Sequence, residues 1–267
     1  MRTDRRGRPG RRAEAGRDRR QHQRSGDEWL YGRNAVNEAL KAGRRRFHHL
    51  LLLSTAGNDP RLDAIQERAR QRGVTFERVD RETIDRAVPD VNHQGVVAFA
   101  SPYPYANSGL LDDASMSMLA LDHLVDPQNV GTLLRAAEAF GVRTVLLPRE
   151  RSAGVTPAVV NSSAGAVEHL DIVQVVNLGQ TVDRLKEHGH WIVGIEHHER
   201  ANVLGTVPIP TPCVLIVGSE GQGMGPNLAK RCDLLLKIEM QGEVNSLNAA
   251  IAGSIALFEL SRSETND

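Results

Sequence analysis

Cysteine is scarce in this sequence. Cys213 and Cys232 are the only two among 267 residues, and neither belongs to a CxxC or Cys/His cluster. That excludes a disulfide framework, argues against structural zinc, and suits a reducing, cytoplasmic compartment. The histidines are scattered without HExxH spacing, so no metal site is expected. Aromatics make up only 4% of residues, too few for broad platforms that stack successive bases. No uncharged apolar run reaches the ~18 residues of a membrane span, and the first residues are too basic for a secretory signal. The Gly-x-Ser-x-Gly elbow of serine hydrolases is missing, as is any internal repeat.

What is present is globular composition, 40% hydrophobic and 25% charged, in a chain long enough for two domains. The zero net charge hides an asymmetry. Residues 1–26 hold ten Arg against Asp4, Glu14 and Asp18, a net +7, and the remainder carries a compensating −7. A basic tail on a mildly acidic body suits a polyanionic partner, or serves solubility alone. Because residues 1–26 contain no Val, Ile, Leu or aromatic side chain, they are expected to be disordered.

Order is expected from about Glu28. Short helices at 34–40, 61–72 and 81–87 alternate with strands at 50–53, 74–76 and 96–100, a small α/β/α domain over 27–100. Residues 101–115 open with SPYPYANSG and read as a linker. Over 116–267, strands at 118–121, 144–147, 172–175, 191–195, 214–217 and 234–238 alternate with helices at 128–140, 156–161, 178–188, 227–231 and 245–260. That alternation predicts a mostly parallel sheet covered on both faces, with ligands at the carboxyl ends of its strands.

Three loops after these strands carry polar residues between apolar segments. In the first, Leu121–Gly141, Val130, Leu133, Leu134, Ala137 and Phe140 form a helical core stripe, and Arg135 points about 160° away from it. Arg135 and Asn129, at the helix start, are either ordinary surface and cap residues or contacts for a ligand. The second loop, Val217–Pro226, holds Gly218, Gly221, Gly223 and Gly225. It is neither a GxGxxG fingerprint nor a P-loop, which disfavours a nicotinamide-dependent oxidoreductase. Glu220 within it would repel a bare phosphate; it could bond ribose hydroxyls, meet a cation, or simply be solvated. The third, Ile238–Gly253, leads into a helix with no charge between Glu243 and Glu259. Leu247, Ile251, Ile255 and Phe258 are expected as its core stripe. The small face of Ala249, Ala252, Gly253 and Ala256 would be a second packing surface, for a homodimer or within the chain. Ser246 and Asn248 can be caps, ligand contacts or both.

Together, Asp126-Pro-Gln-Asn129-Val-Gly131 with Arg135, Gly218-Ser-Glu220-Gly221 with Gly223-Met224, and Ser246-Leu247-Asn248 resemble the SPOUT superfamily, specifically its TrmH-like RNA ribose 2′-O-methyltransferases. Upstream, Tyr31-Gly32-Arg33-Asn34-Ala35-Val36 and His93-Gln94-Gly95-Val96-Val97-Ala98 resemble the small substrate-binding domain of that branch, although Asn34 stands where His is more usual.

The resemblance implies an α/β SPOUT domain with a C-terminal trefoil knot, which chain topology alone would not suggest. It also implies a homodimer and S-adenosyl-L-methionine as methyl donor. The implied reaction is 2′-O-methylation of a guanosine in 23S rRNA; tRNA or other rRNA ribose methylation, or a non-catalytic assembly role, are the alternatives. By the same resemblance, Gly218, Ser219, Ile238, Met240 and Leu247 line the cofactor pocket, and Asn129, Arg135, Glu220, Ser246 and Asn248 form the catalytic set. Arg135 is implied as general base, although guanidinium is ordinarily a donor only; a cationic Arg135 that positions the phosphate and stabilises a developing alkoxide is the alternative. RNA contacts are expected from the tail and from Lys41, Arg44, Arg45 and Arg46, or that run is simply a solvated face.

Overall fold

The computed structural model describes residues 26–54, 59–113, 115–221, 223–243 and 246–265; the basic tail expected to be disordered lies outside them, save Gly26. The N-terminal part builds a four-stranded sheet from β1 (Glu28–Tyr31), β2 (Phe47–Leu53), β3 (Phe76–Val79) and β4 (Val96–Ala100), in the order β1-β4-β2-β3. It carries helices α1 (Arg33–Ala42), α2 (Pro60–Gln71) and α3 (Arg81–Ala87). Two details depart from expectation. β1 is a strand, paired antiparallel to β4. β3 starts two residues later than 74–76 because the Val74 N–H is taken by Ala69 O at 2.9 Å, at the end of α2.

The C-terminal part is a seven-stranded parallel sheet. Its strands are β5 (Met118–Leu121), β6 (Thr144–Pro148), β7 (Asp171–Val175), β8 (Trp191–Ile195), β9 (Asn202–Val203), β10 (Cys213–Val217) and β11 (Leu234–Lys237), ordered β7-β6-β5-β10-β8-β11-β9. Its helices are α4 (Pro127–Ala139), α5 (Pro157–Ser162), α6 (Leu178–Glu187), α7 (Pro226–Ala229) and α8 (Ala249–Thr265). The period-two alternation of the strands sorts their side chains to two faces. Leu119, Leu121, Leu215 and Val217 pack under α4, α5 and α8. Met118, Ala120, Val214 and Ile216 pack under α6 and Leu228 of α7. Loops at the carboxyl ends of β5, β8, β10 and β11 therefore gather at one edge.

The helix α8 reverses the expected sidedness. Its small face is the core face: Ala249, Ala250, Ala256, Leu257 and Leu260 are buried. A Cβ on Gly253 would fall 2.5 Å from Leu133 Cδ2 and 2.9 Å from Val217 Cγ2. Close approach of α8 to α4 and β10 needs that glycine. The larger residues face outward, with Ile251 50%, Ile255 39% and Phe258 49% exposed.

The two sheets are docked through a dense interface, and residues 101–107 are no free tether. Tyr103 is buried and donates to Leu170 O at 2.5 Å; Tyr105 Oη accepts from Val155 N–H at 2.9 Å. Asn161 Nδ2 donates to Tyr31 O at 3.0 Å. Arg45 is at the centre, its Nε 2.8 Å from Glu168 and its Nη1 2.5 Å from Glu28. Burial raises both carboxyls above their ordinary range, although the guanidinium opposes the shift.

That removes Arg45 from the expected RNA-binding run. It is 5% exposed, and a guanidinium enclosed by two carboxylates cannot reach a phosphate. Arg44 is also engaged, with Asp171 at 2.8 Å and Leu170 O at 2.6 Å, and Lys41 meets Glu38 at 2.6 Å. Arg46 is exposed. Among the described residues no helix is long and apolar enough to cross a membrane, and no group of three or more potential ligands could hold a metal ion.

Candidate active site

Three loops from different strands meet at the carboxyl edge of the large sheet. Asp126 caps α4 by accepting from Gln128 N–H at 3.1 Å, and Pro127 follows it. This sets Asn129 in the first turn, buried and turned toward the loop after β10. That loop is a tight turn, with Ser219 and Gly223 exchanging two backbone bonds of 3.0 Å. A Cβ on Gly218 would lie 2.5 Å from Gly223 C and from Met224 N, so only glycine lets the loop fold back on itself here. The turn carries Glu220 toward α4.

Asn248 joins them. Asn129 Nδ2 donates to Glu220 Oε1 at 3.0 Å, and Asn248 Nδ2 donates to Asn129 Oδ1 at 2.9 Å and also to Glu220 Oε1. The other end of the same amide caps α8, Asn248 Oδ1 accepting from Ala250 N–H at 2.8 Å and Ile251 N–H at 3.2 Å. Asn248 is thus both cap and site residue, which is why α8 begins at Ala249 and not at 245. The two carboxamides hold the carboxylate, whose negative charge is concentrated at the meeting of all three loops.

Beside this network lies a cleft of about 250 Å³. Gly218, Ser219, Glu220, Ile238, Met240, Ser246 and Leu247 all line it. So do residues that the sequence did not single out, among them Ile195, Glu196, His197 and Lys237. Glu196 accepts from Met224 N–H at 2.7 Å and so braces the glycine turn from β8. It is the first residue past the end of a central parallel strand, and that position was the available signal. Asp122, in the same position after β5, is buried and accepts from Gly225 N–H at 3.0 Å.

Arg135 stands apart from the cleft lining. It is exposed on α4, six residues and so about 9 Å along the axis from Asn129. Its guanidinium has no hydrogen-bond or ion-pair partner among the described residues. Core burial of Val130, Leu133, Leu134 and Ala137 fixes that outward direction.

Residues 116–258 match the SpoU rRNA Methylase family, and residues 29–106 match the RNA 2′-O ribose methyltransferase substrate binding domain. A Bacillus subtilis (strain 168) chain named as a TrmH family tRNA/rRNA methyltransferase, YacO, is 35% identical over 244 residues, covering 88% of this chain and 95% of its own length. Among solved structures, a Porphyromonas gingivalis chain described as an RNA methyltransferase of the TrmH family is similar at a TM-score of 0.71 and 27% identity, covering 92% of this chain and 94% of that one. The AdoMet-bound rRNA methyltransferase of Sinorhizobium meliloti gives 0.71 and 25%, covering 91% and 90%. With the greater part of its length matched in this way, the chain belongs to the SpoU rRNA methylase family of TrmH-like SPOUT proteins.

Proposed function

We propose that the chain methylates the ribose 2′-O of a guanosine in 23S rRNA, acting in the cytoplasm as a homodimer. As a SpoU-family protein it is an RNA methyltransferase, and its methyl donor is S-adenosylmethionine. The observation that carries the reading is the carboxamide–carboxylate network through which Asn129, Glu220 and Asn248 join three loops beside one cleft.

The cleft suits that donor. Ile195, Val217, Ile238, Leu247 and Ala252 offer apolar surface of the kind an adenine face needs. Ser219 and Ser246 add hydroxyl groups to the lining. Two carboxylates, Glu196 and Glu220, stand there against one lysine, Lys237, which favours a ligand bearing ammonium and sulfonium charge.

When bound, S-adenosylmethionine supplies an electrophilic methyl group. The residues proposed to bind it are Gly218, Ser219, Ile238, Met240 and Leu247. Asn129, Glu220, Ser246 and Asn248 organise the polar end of the site. Arg135 remains cationic in this reading: its free donors bind the substrate phosphate and stabilise the ribose oxygen while a phosphate oxygen or water takes the hydroxyl proton. The apolar face of Ile251, Ile255 and Phe258, with Phe140 packed 5.6 Å from Phe258, is where a second copy docks. A trefoil knot is part of the same proposal; it is supported by the interleaving of β10 between β5 and β8 and of β11 between β8 and β9.

The test is a map of ribose methylation in 23S rRNA from cells with and without this chain. One guanosine should lose its 2′-O-methyl group and regain it with the wild type but not with Arg135→Ala. An unchanged 23S map beside a lost tRNA methyl group would move the substrate to tRNA, and no change in either would overturn the proposal.

A further inference from the structure

The fold pairs Lys41, Arg44 and Arg45 with carboxylates but leaves guanidiniums less committed elsewhere on the N-terminal domain. Arg33, Arg61 and Arg81, from the first turns of α1, α2 and α3, line one cleft of about 460 Å³ together with Asn92 and Gln94. Helix electrostatics favour acids in a first turn and disfavour cations there. α2 and α3 offset theirs with Asp63 and Glu82 beside the N-caps Asp59 and Asp80, and what distinguishes this cleft is that guanidiniums from three separate helices converge on it.

These arginines differ in how far they are committed. Arg33 is fixed, its Nη2 2.5 Å from Asp59 and its Nε donating to Gln94 O at 2.9 Å. Arg81 meets Asp85 only at 3.6 Å, with both side chains largely exposed. Arg61 has no side-chain partner among the described residues. By contrast Arg44, Arg45, Arg70 and Arg78 are all held by carboxylates at 2.8 Å or less. Arg46 is exposed, but it sits beside the opposite end of β2 from Leu53, which lines the cleft; a seven-residue strand puts them roughly 20 Å apart.

The polar rim is rigid. His93 is buried, its Nε2 2.9 Å from Asp85 and its Nδ1 accepting from Gly95 N–H at 3.0 Å. Gln94 holds a φ of 54°, uncommon for a side chain with a Cβ and frequent at ligand clamps. Its Oε1 accepts from Arg33 N–H at 3.2 Å, which leaves Nε2 without a partner among the described residues.

We infer that this cleft holds an unpaired stretch of the RNA substrate. Arg61 and Arg81 clasp a backbone phosphate, and the amides of Asn92 and Gln94 bond the edge of an unstacked base. A duplex does not fit the role, because its base edges are not presented to a compact cleft of this kind. The inference rests on the RNA methyltransferase reading and adds to it the face and the residues that capture the strand.

The test uses the full chain, a fluorescein-labelled RNA stem-loop and the matching blunt duplex, with anisotropy followed from low salt to about 0.2 M. The wild type should bind the stem-loop more tightly. Arg61→Ala with Arg81→Ala should weaken stem-loop binding about tenfold and lower the salt slope by about 0.7, the contribution of the one single-strand phosphate charge left without its arginines. The double Lys variant should keep the slope, and S-adenosylmethionine affinity and Tm should be unchanged in both variants. Stem-loop binding and slope unaltered in the Ala variant, beside an active wild type, overturn this inference alone. Equal losses on stem-loop and duplex overturn the unpaired-strand assignment. A wild type that binds neither RNA and transfers no methyl group overturns the functional reading, and this inference with it.

Discussion

Asn248 performs two tasks with one amide, and substitutions can separate them. Its Oδ1 caps α8, and its Nδ2 holds Asn129 and Glu220. Removing a cap costs about 1 kcal/mol, roughly 2–4 °C of Tm in a chain of this size. Removing a donor to a carboxylate forfeits about 1.5–3 kcal/mol where the site is enclosed. If that energy organises the reactive geometry, turnover falls about ten- to a hundredfold. Asn248→Ser keeps an oxygen for the cap and loses the Nδ2 donor, so its Tm should stay near the wild-type value while donor affinity and turnover fall. Asn248→Ala should lose both. Asn248→Asp keeps the cap but sets a second carboxylate against Glu220, so the loops are pushed apart and turnover should fall furthest of the three. Thermal denaturation, calorimetric titration with S-adenosylmethionine and methyl incorporation read the three effects separately. Wild-type donor binding and turnover in Asn248→Ser and Asn248→Asp would refute a functional network. A Tm for Asn248→Ser as low as that of Asn248→Ala would refute the cap.

Other outcomes follow from the same structure. Arg45→Ala leaves the buried Glu168 and the half-buried Glu28 without their partner, so equilibrium denaturation should show a loss of about 3–5 kcal/mol; a loss below about 1 kcal/mol would return Arg45 to the surface. Ile251→Lys with Phe258→Glu places charge on the exposed face of α8, and sedimentation should find a folded monomer with little activity, whereas an unchanged dimer would put the interface elsewhere. Burial pushes the Cys232 thiol up to about 12, and Cys213 is buried outright. Neither should react with a disulfide reagent near neutral pH until the chain unfolds; fast native-state labelling would contradict that.

Much of the fold is legible in the sequence because the strands of the large sheet are short apolar runs, each followed by a polar loop. Asn129, Glu220 and Asn248 stand in those polar loops, but the pattern alone leaves them as caps or solvated residues, and it is the resemblance of the three motifs to TrmH-like proteins that marks them as one set. Sidedness in α8 was not legible. Ile251, Ile255 and Phe258 have the spacing of a core stripe, but Gly253 and the alanines let α8 approach Leu133 and Val217 more closely than large residues could. Hydrophobicity alone cannot tell a core face from an exposed one. Arg45 misleads in the opposite direction, because Glu28 and Glu168, which enclose it, are distant in sequence. Glu196 escaped notice because its work is to receive a backbone N–H from a loop 28 residues away.

In the proposed function one cleft, assembled from the loops of Asn129, Glu220 and Ser246, delivers a methyl group to a ribose oxygen. Its most direct test incubates the full chain with methyl-labelled S-adenosylmethionine and unmodified 23S rRNA, then digests the RNA to nucleosides. The account predicts label in 2′-O-methylguanosine. Label on a base, or none transferred at all, would contradict it.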